Sequence, residues 1–143
     1  SAAAIAGPRR LPVAGLGEWR ASMIVVDTSI WIDHLRRGNR LLAMLLEEGE
    51  VVCHPFVIGE LACGSMARRR AILEFLHALP QTEPAEHDEI LRFIEDRRLH
   101  GGGIGLIDAH ILWAAVSQAH ELWTRDARLR RIALRLGVAF GRG

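Results

Sequence analysis

The stretch Met23-Ile24-Val25-Val26-Asp27-Thr28-Ser29-Ile30-Trp31-Ile32-Asp33 decides the fold class. Ile24, Val25 and Val26 are consecutive β-branched residues, a short apolar run that suits a central strand buried on both faces. The run stops at an acid, Asp27. Thr28 or Ser29 can then cap a helix over residues 30–37, where Ile30, Trp31, His34 and Leu35 fall at helical spacing. Gly38 supplies the stop. A buried strand that passes at once into an amphipathic helix is the first half of a β-α-β unit.

The same alternation continues outward from this stretch. Residues 39–48 carry Leu41, Leu42, Leu45 and Leu46 on one helical stripe, and 51–53 form a second apolar strand. Pro55 stands at a natural first helical position for a helix running to Cys63. Residues 68–79 and 86–99 read as amphipathic helices. A glycine loop, 101–105, leads into a long apolar helix over 106–119. A strand over 121–124, a helix over 127–136 and a last strand over 138–140 complete the chain. Strands separated by helices pair in parallel, with helices on both faces, so the class is α/β.

A chain of 143 residues, half of them hydrophobic and 24% charged, has the balance of one globular domain. No apolar run reaches the ~18–20 residues that a membrane helix needs. Two cysteines in no CxxC pair favour a reducing, cytosolic setting. All 18 basic residues are arginine. Without lysine there is no Walker-type phosphate loop, Schiff base or lysine general base. There is no tyrosine, no G-x-S-x-G elbow and no H-E-x-x-H. What remains is carboxylate, histidine, cysteine or hydroxyl chemistry.

Residues 1–22 differ from the rest, being rich in Ala, Gly and Pro, and Met23 reads as a natural start. The expected division is an N-terminal appendage over 1–22 (linker, scar or binding peptide) and one folded domain over 23–143. The appendage holds three arginines and one acid, so the +1 net charge turns slightly negative without it. The body is no broadly basic nucleic-acid binder, and any nucleic-acid contact falls to local arginine clusters.

Four acids stand where acids are unexpected. Asp27 and Asp126 each follow a strand and precede a helix. They read either as helix caps or as groups at the carboxyl ends of parallel strands, where open α/β sheets bind ligands. Glu60 shares a helix face with Phe56, Val57 and Gly64; Asp108 shares one with Ile111, Leu112 and Ala115. A charge on a buried stripe costs several kcal/mol unless it is paired or bound to a metal. Two carboxylates about 5 Å apart repel by roughly 3 kcal/mol at an effective dielectric near 20. Gathered in one pocket, such groups call for a cation. Oxygen-only ligands favour Mg²⁺ or Mn²⁺, which suits phosphoryl chemistry with a metal-activated water.

The series Ile24-Val-Val-Asp27-Thr-Ser-Ile-Trp-Ile-Asp33, Pro55-Phe-Val-Ile-Gly-Glu60-Leu61, Gly103-Ile-Gly-Leu-Ile-Asp108-Ala109 and Trp123-Thr-Arg-Asp126 resembles PIN-domain ribonucleases. Among them it resembles the VapC-type toxins of bacterial toxin–antitoxin pairs. The likeness runs from Met23 to Phe140, in order and with family-like spacing. It implies a three-layer α/β/α fold with a short, mainly parallel central sheet. It also implies a cytoplasmic, Mg²⁺-dependent endoribonuclease in which Mn²⁺ can substitute. The implied partners are an RNA substrate, a cognate VapB-type antitoxin and a second copy in a homodimer. By motif, Asp27, Glu60, Asp108 and Asp126 carry over as the catalytic acids. Asp27, Asp108 and Asp126 are the expected metal ligands, and Thr28, Ser29 and Thr124 the supporting hydroxyls. Arg97 and Arg98, just before the glycine loop, are candidate RNA contacts. The alternative of another class is a PIN-like module that binds RNA or protein without cutting.

The seven histidines form no metal-type pair in sequence, and His110 is set about 200° round its helix from Asp108. Cys53 and Cys63 read as small buried hydrophobes, and Trp31, Trp113 and Trp123 as core or dimer contacts. A haloacid-dehalogenase-type phosphatase would need a second aspartate where Ser29 stands, and a lysine. The apolar faces of 39–48 and of the helices holding Phe75 and Phe93 were the expected dimer surface.

Overall fold

The computed structural model describes residues 9–13 and 18–141, with side chains from Ser22 onward. Residues 1–8 and 14–17 of the expected appendage, with 142–143, lie outside the described residues. Within the N-terminal segment β1 (Arg9–Val13) and β2 (Glu18–Ser22) pair antiparallel, Arg9 opposite Ser22, as a two-stranded sheet separate from the main one.

The main sheet is parallel. β3 (Ile24–Val26) lies at its centre between β4 (Val51–Val52) and β5 (Glu121–Trp123). Val25 faces Val52 on one side and Leu122 on the other, and Val26 faces Trp123. All three residues of β3 are buried, as their β-branched run requires. The expected strand over 138–140 is reduced to one parallel bridge, Leu122 to Ala139. On the opposite edge Cys53 bridges Gln81 in the same way. The backbone bonds of the first are two: Leu122 donates to Val138 O and Phe140 donates to Leu122 O.

Seven helices pack around this sheet among the described residues. They are α1 (Thr28–Arg37), α2 (Arg40–Glu47), α3 (Pro55–Cys63), α4 (Arg69–Ala78), α5 (His87–Asp96), α6 (Leu106–Ser117) and α7 (Ala127–Arg135). Sequence grammar sets most of their starts. Asn39 accepts from Leu42 N–H to cap α2, and Pro55 stands in the first turn of α3. None of these helices is long and apolar enough to cross a membrane.

The core runs through Val25, Val26, Leu42, Leu45, Ile111, Leu112 and Leu129, all closed to solvent. That corrects the expected dimer surface. Leu42, Leu45 and Phe93 are buried in this core, and the amphipathic stripe of α2 is spent inside the molecule. Phe75 does stay exposed. Trp31 and Trp123 are core residues as expected. Cys53 is buried and its thiol is pushed up to about 12 by that burial. Cys63, expected to be buried, is exposed, because α3 ends there and turns outward at Gly64.

His54 caps α3 by accepting Phe56 N–H at Nδ1, 2.9 Å, and is wholly buried. Its ring neighbours are Phe56 and His110, and Cys53 Sγ lies 3.8 Å from its carbonyl. Burial and the His110 charge push its pKa down to about 4; burial and His87 lower His110. An unfolded histidine protonates near 6.5, so the unfolded chain takes up protons first as pH falls. Stability is therefore full above about pH 6.5 and is lost toward pH 4. Asn at position 54 keeps a capping acceptor and cannot titrate. His54→Asn should remove about 2 kcal/mol of the acid-induced loss between pH 7 and 4.5. Parallel melting-temperature curves for both proteins across that range would contradict this.

Candidate active site

Parallel pairing brings the carboxyl ends of β3 and β5 to one edge of the sheet. Asp27 follows β3 directly; Thr124, Arg125 and Asp126 follow β5. The junction is fixed by main chain, since Asp27 N–H donates to Trp123 O at 2.9 Å. α3 brings Glu60 to this edge, and α6 brings Asp108 in its first turn.

Asp27 stands at the N-cap position of α1, yet its side chain caps nothing. The expected cap at Thr28 or Ser29 is also not found: both lie inside the first turn and spend their hydroxyls on acids. Asp27 Oδ2 accepts from Ser29 Oγ at 2.8 Å and from Thr124 Oγ1 at 2.7 Å. Thr28 Oγ1 donates to Glu60 Oε1 at 2.7 Å. Asp126 does cap its helix, with Oδ1 accepting from Arg128 N–H and Leu129 N–H. Its own N–H donates to Thr124 Oγ1 at 3.0 Å. One hydroxyl thus joins the first and fourth acids.

Asp108 feels the charge of the other three acids. Its carboxyl is pushed up to about 6, first by burial, then by the charges of Asp27, Asp126 and Glu60, against a lowering bond from the Gly105 backbone. Like charges raise a carboxyl pKa only when they stand near it, so the other three acids lie close to Asp108. Burial differs from the sequence expectation at one of them. Glu60 is exposed, because α3 buries Val57, Ile58 and Leu61 and leaves Phe56 and Glu60 to solvent. His110 lies away from the acids, its ring 4.6 Å from that of Phe56.

The donor set fits a hard divalent ion: carboxylate oxygens, hydroxyls to hold them, and no thiolate or imidazole among the four. Among the described residues no three His, Cys, Asp or Glu side chains converge to a ready-made cage. Mg²⁺ does not need one. It keeps several waters and takes one or two carboxylates directly.

Among the described residues no contact brings Arg97 or Arg98 to the acids. The Arg97 guanidinium lies over the Phe93 ring, and the carbonyls of both residues are held by Arg135. Instead Arg128 stands beside the glycine loop. Gly103 takes φ +80, and a Cβ there would meet Arg128 Cδ at 2.8 Å. Asp33 and Arg125, ion-paired at 2.8 Å beside the site, were not singled out from sequence. Their available signal was Arg125 standing between Thr124 and Asp126.

Thr124→Val tests the hydroxyl link. It keeps the shape, removes a donor from Asp27 and leaves Asp126 N–H without its acceptor. The activity of the site should fall about 10- to 100-fold, as for other groups that orient ligands. Stability should fall by about 1–3 kcal/mol. Unchanged kcat/KM would show that the link is idle.

A parallel α/β sheet with four acids at its carboxyl edge is the arrangement of a family, and the chain belongs to it. The PIN domain model matches residues 24–134, beginning at β3. Within that family the chain is of the VapC type. It is 47% identical over 118 residues to Ribonuclease VapC32 of two Mycobacterium tuberculosis strains, CDC 1551 / Oshkosh and H37Rv, covering 82% of this chain and 95% of theirs. The crystal structure of PAE2754 from Pyrobaculum aerophilum shares the fold, with a TM-score of 0.54 at 18% identity, over 81% of this chain and 96% of that one.

Proposed function

We propose that the chain is a cytoplasmic Mg²⁺-dependent endoribonuclease, the toxin of a type II toxin–antitoxin pair, acting through its folded body from Met23 onward. The gathering of acids at the sheet edge carries this reading: Thr124 joins Asp27 to Asp126, Ser29 holds Asp27, Thr28 holds Glu60, and Asp108 stands in the first turn of α6 close enough to feel their charge. Asp27, Asp108 and Asp126 would hold the ion, directly or through its bound waters, with Mn²⁺ able to replace Mg²⁺, and Glu60 would position the attacking water. When bound, the ion lowers the pKa of a water and neutralises charge at the phosphodiester. Ser29 and Thr124 fix Oδ2 of Asp27 and leave Oδ1 uncommitted. Asp126 spends Oδ1 on its helix and keeps Oδ2. Thr28 orients Glu60. Each supporting hydroxyl therefore sets which carboxylate oxygen remains for the chemistry.

The partners follow from the same reading. A VapB-type antitoxin would lie on the α1–α3 side, where Ile32 and Leu35 are exposed and line a groove together with Glu60. An apolar peptide there would bring a basic side chain to the acid cluster. A homodimer would use exposed apolar residues such as Phe56, Leu91 and Leu106 on α3, α5 and α6.

The test is sequencing of RNA ends after induced expression. The wild-type chain should create new ends at recurrent sites in one class of RNA, and Asp27→Asn should not. Matching end profiles would sink the ribonuclease reading.

A further inference from the structure

Beside the acid cluster lies a pocket of opposite charge. It is open, about 310 Å³ in volume, and lined by Ser29, Ile32, Asp33, Arg36, Arg37 and Arg125. Three guanidiniums share it with one carboxylate. Asp33 Oδ1 accepts from Arg37 Nε and from Arg125 Nη1, each at 2.8 Å. Asn39 Nδ2 donates to Asp33 Oδ2 at 3.3 Å. Partial burial works against the charge on Asp33, but Asn39, Arg125 and Arg37 hold its carboxyl below the usual range.

That anchor is one-sided. Arg37 and Arg125 keep 73% and 54% of their side-chain surface open, so their remaining N–H groups reach solvent. The Arg36 guanidinium has no acceptor among the described residues. Two like charges held on one carboxylate oxygen, with a third beside them, leave net positive charge fixed in place. A guanidinium so oriented matches the fork geometry of a phosphate.

Position gives the pocket its meaning. Arg125 N–H donates to Ser29 Oγ at 3.0 Å, and Ser29 Oγ donates to Asp27 Oδ2 at 2.8 Å. Ser29 is therefore the wall between the acid cluster and the arginine pocket. A strand whose scissile phosphodiester lies over the acids carries its neighbouring phosphates along the rim. There the acids would repel them.

We infer that the Arg36–Arg37–Arg125 pocket binds a backbone phosphate of single-stranded RNA flanking the scissile bond, with Asp33 as the residue that positions its arginines. The inference rests on the ribonuclease reading above. It assigns the pocket no part in base recognition, since phosphate contacts set register and carry no sequence information.

The experiment is cleavage of a mixed-sequence single-stranded RNA by the full chain in Mg²⁺ at several salt concentrations. Arg36→Gln and Arg125→Gln are compared with wild type, and Arg70→Gln on α4 serves as a charge-matched control outside the pocket. Each pocket variant should raise KM about tenfold, the loss of a charge-assisted bond. Each should also flatten the slope of log(kcat/KM) against log salt by about 0.7, one phosphate contact on a single strand. Arg36→Lys should restore the slope. Wild-type cleavage with pocket variants that match Arg70→Gln in KM and slope would overturn the pocket alone. A wild-type chain that does not cleave RNA in Mg²⁺ would overturn the ribonuclease reading and the pocket with it.

Discussion

Asp27→Asn should lower Mg²⁺-dependent RNA cleavage by at least about 10³-fold while leaving the fold intact. Asp27 is the most buried of the four acids, and its carboxylate meets both Ser29 and Thr124. Asn keeps one oxygen and the side-chain size but removes the charge that would hold a cation. Its amide can also present NH₂ donors to hydroxyls that now serve a carboxylate. The folded state should survive, because the side chain caps no helix and the main-chain bond from Asp27 N–H to Trp123 O is unaffected. The measurement is kcat/KM on a defined RNA, with the melting temperature beside it. A variant retaining a tenth of wild-type activity would remove Asp27 from the metal site.

The second large effect is on stability and reverses sign with metal. In the folded chain Asp108 resists ionisation, with its pKa raised to about 6 from an ordinary value of 3.8. Between about pH 4 and 6 the unfolded chain loses this proton first, so stability falls as pH rises through that window. Above pH 6 the whole penalty stands. Asp108→Asn removes it, an effect of about 1 kcal/mol after solvent screening, or about 3–6 °C in melting temperature for a domain of this size. In EDTA at pH 7.5 the variant should therefore melt above wild type. With Mg²⁺ at 100 times its dissociation constant, the wild type should gain about 2.7 kcal/mol and overtake it. Equal Mg²⁺ stabilisation of the two proteins would separate Asp108 from the metal site.

Local rules made much of this structure legible. The β-branched run Ile24–Val26 had to be a buried strand, and Pro55, Gly38 and Asn39 mark helix boundaries that the backbone respects. The acids at strand ends were visible because a parallel sheet sends its carboxyl ends to one edge. Periodicity misled at Glu60, since a stripe of Phe56, Val57 and Gly64 does not say which side of a short helix meets the core. It misled again at α2, whose leucines were ample for a surface and were used inside. Three-dimensional pairings were beyond reach. Nothing local says that Asp33 on α1 would hold Arg125 from the loop after β5, or that Thr124 would join Asp27 to Asp126. The last strand is reduced to a single bridge, since among the described residues 138–140 meets β5 at Leu122 alone.

On the proposed reading, the four carboxylates at the sheet edge make one divalent-cation site for RNA hydrolysis. Its most direct test is a metal-rescue series on the full wild-type chain and a single-stranded RNA. The protein is stripped with EDTA, dialysed and assayed against rising Mg²⁺, then Mn²⁺, with Asp27→Asn in parallel. Cleavage should vanish in EDTA, return saturably with either ion in the wild type and stay absent in Asp27→Asn. Cleavage that persists in EDTA, or that returns equally in Asp27→Asn, would contradict it.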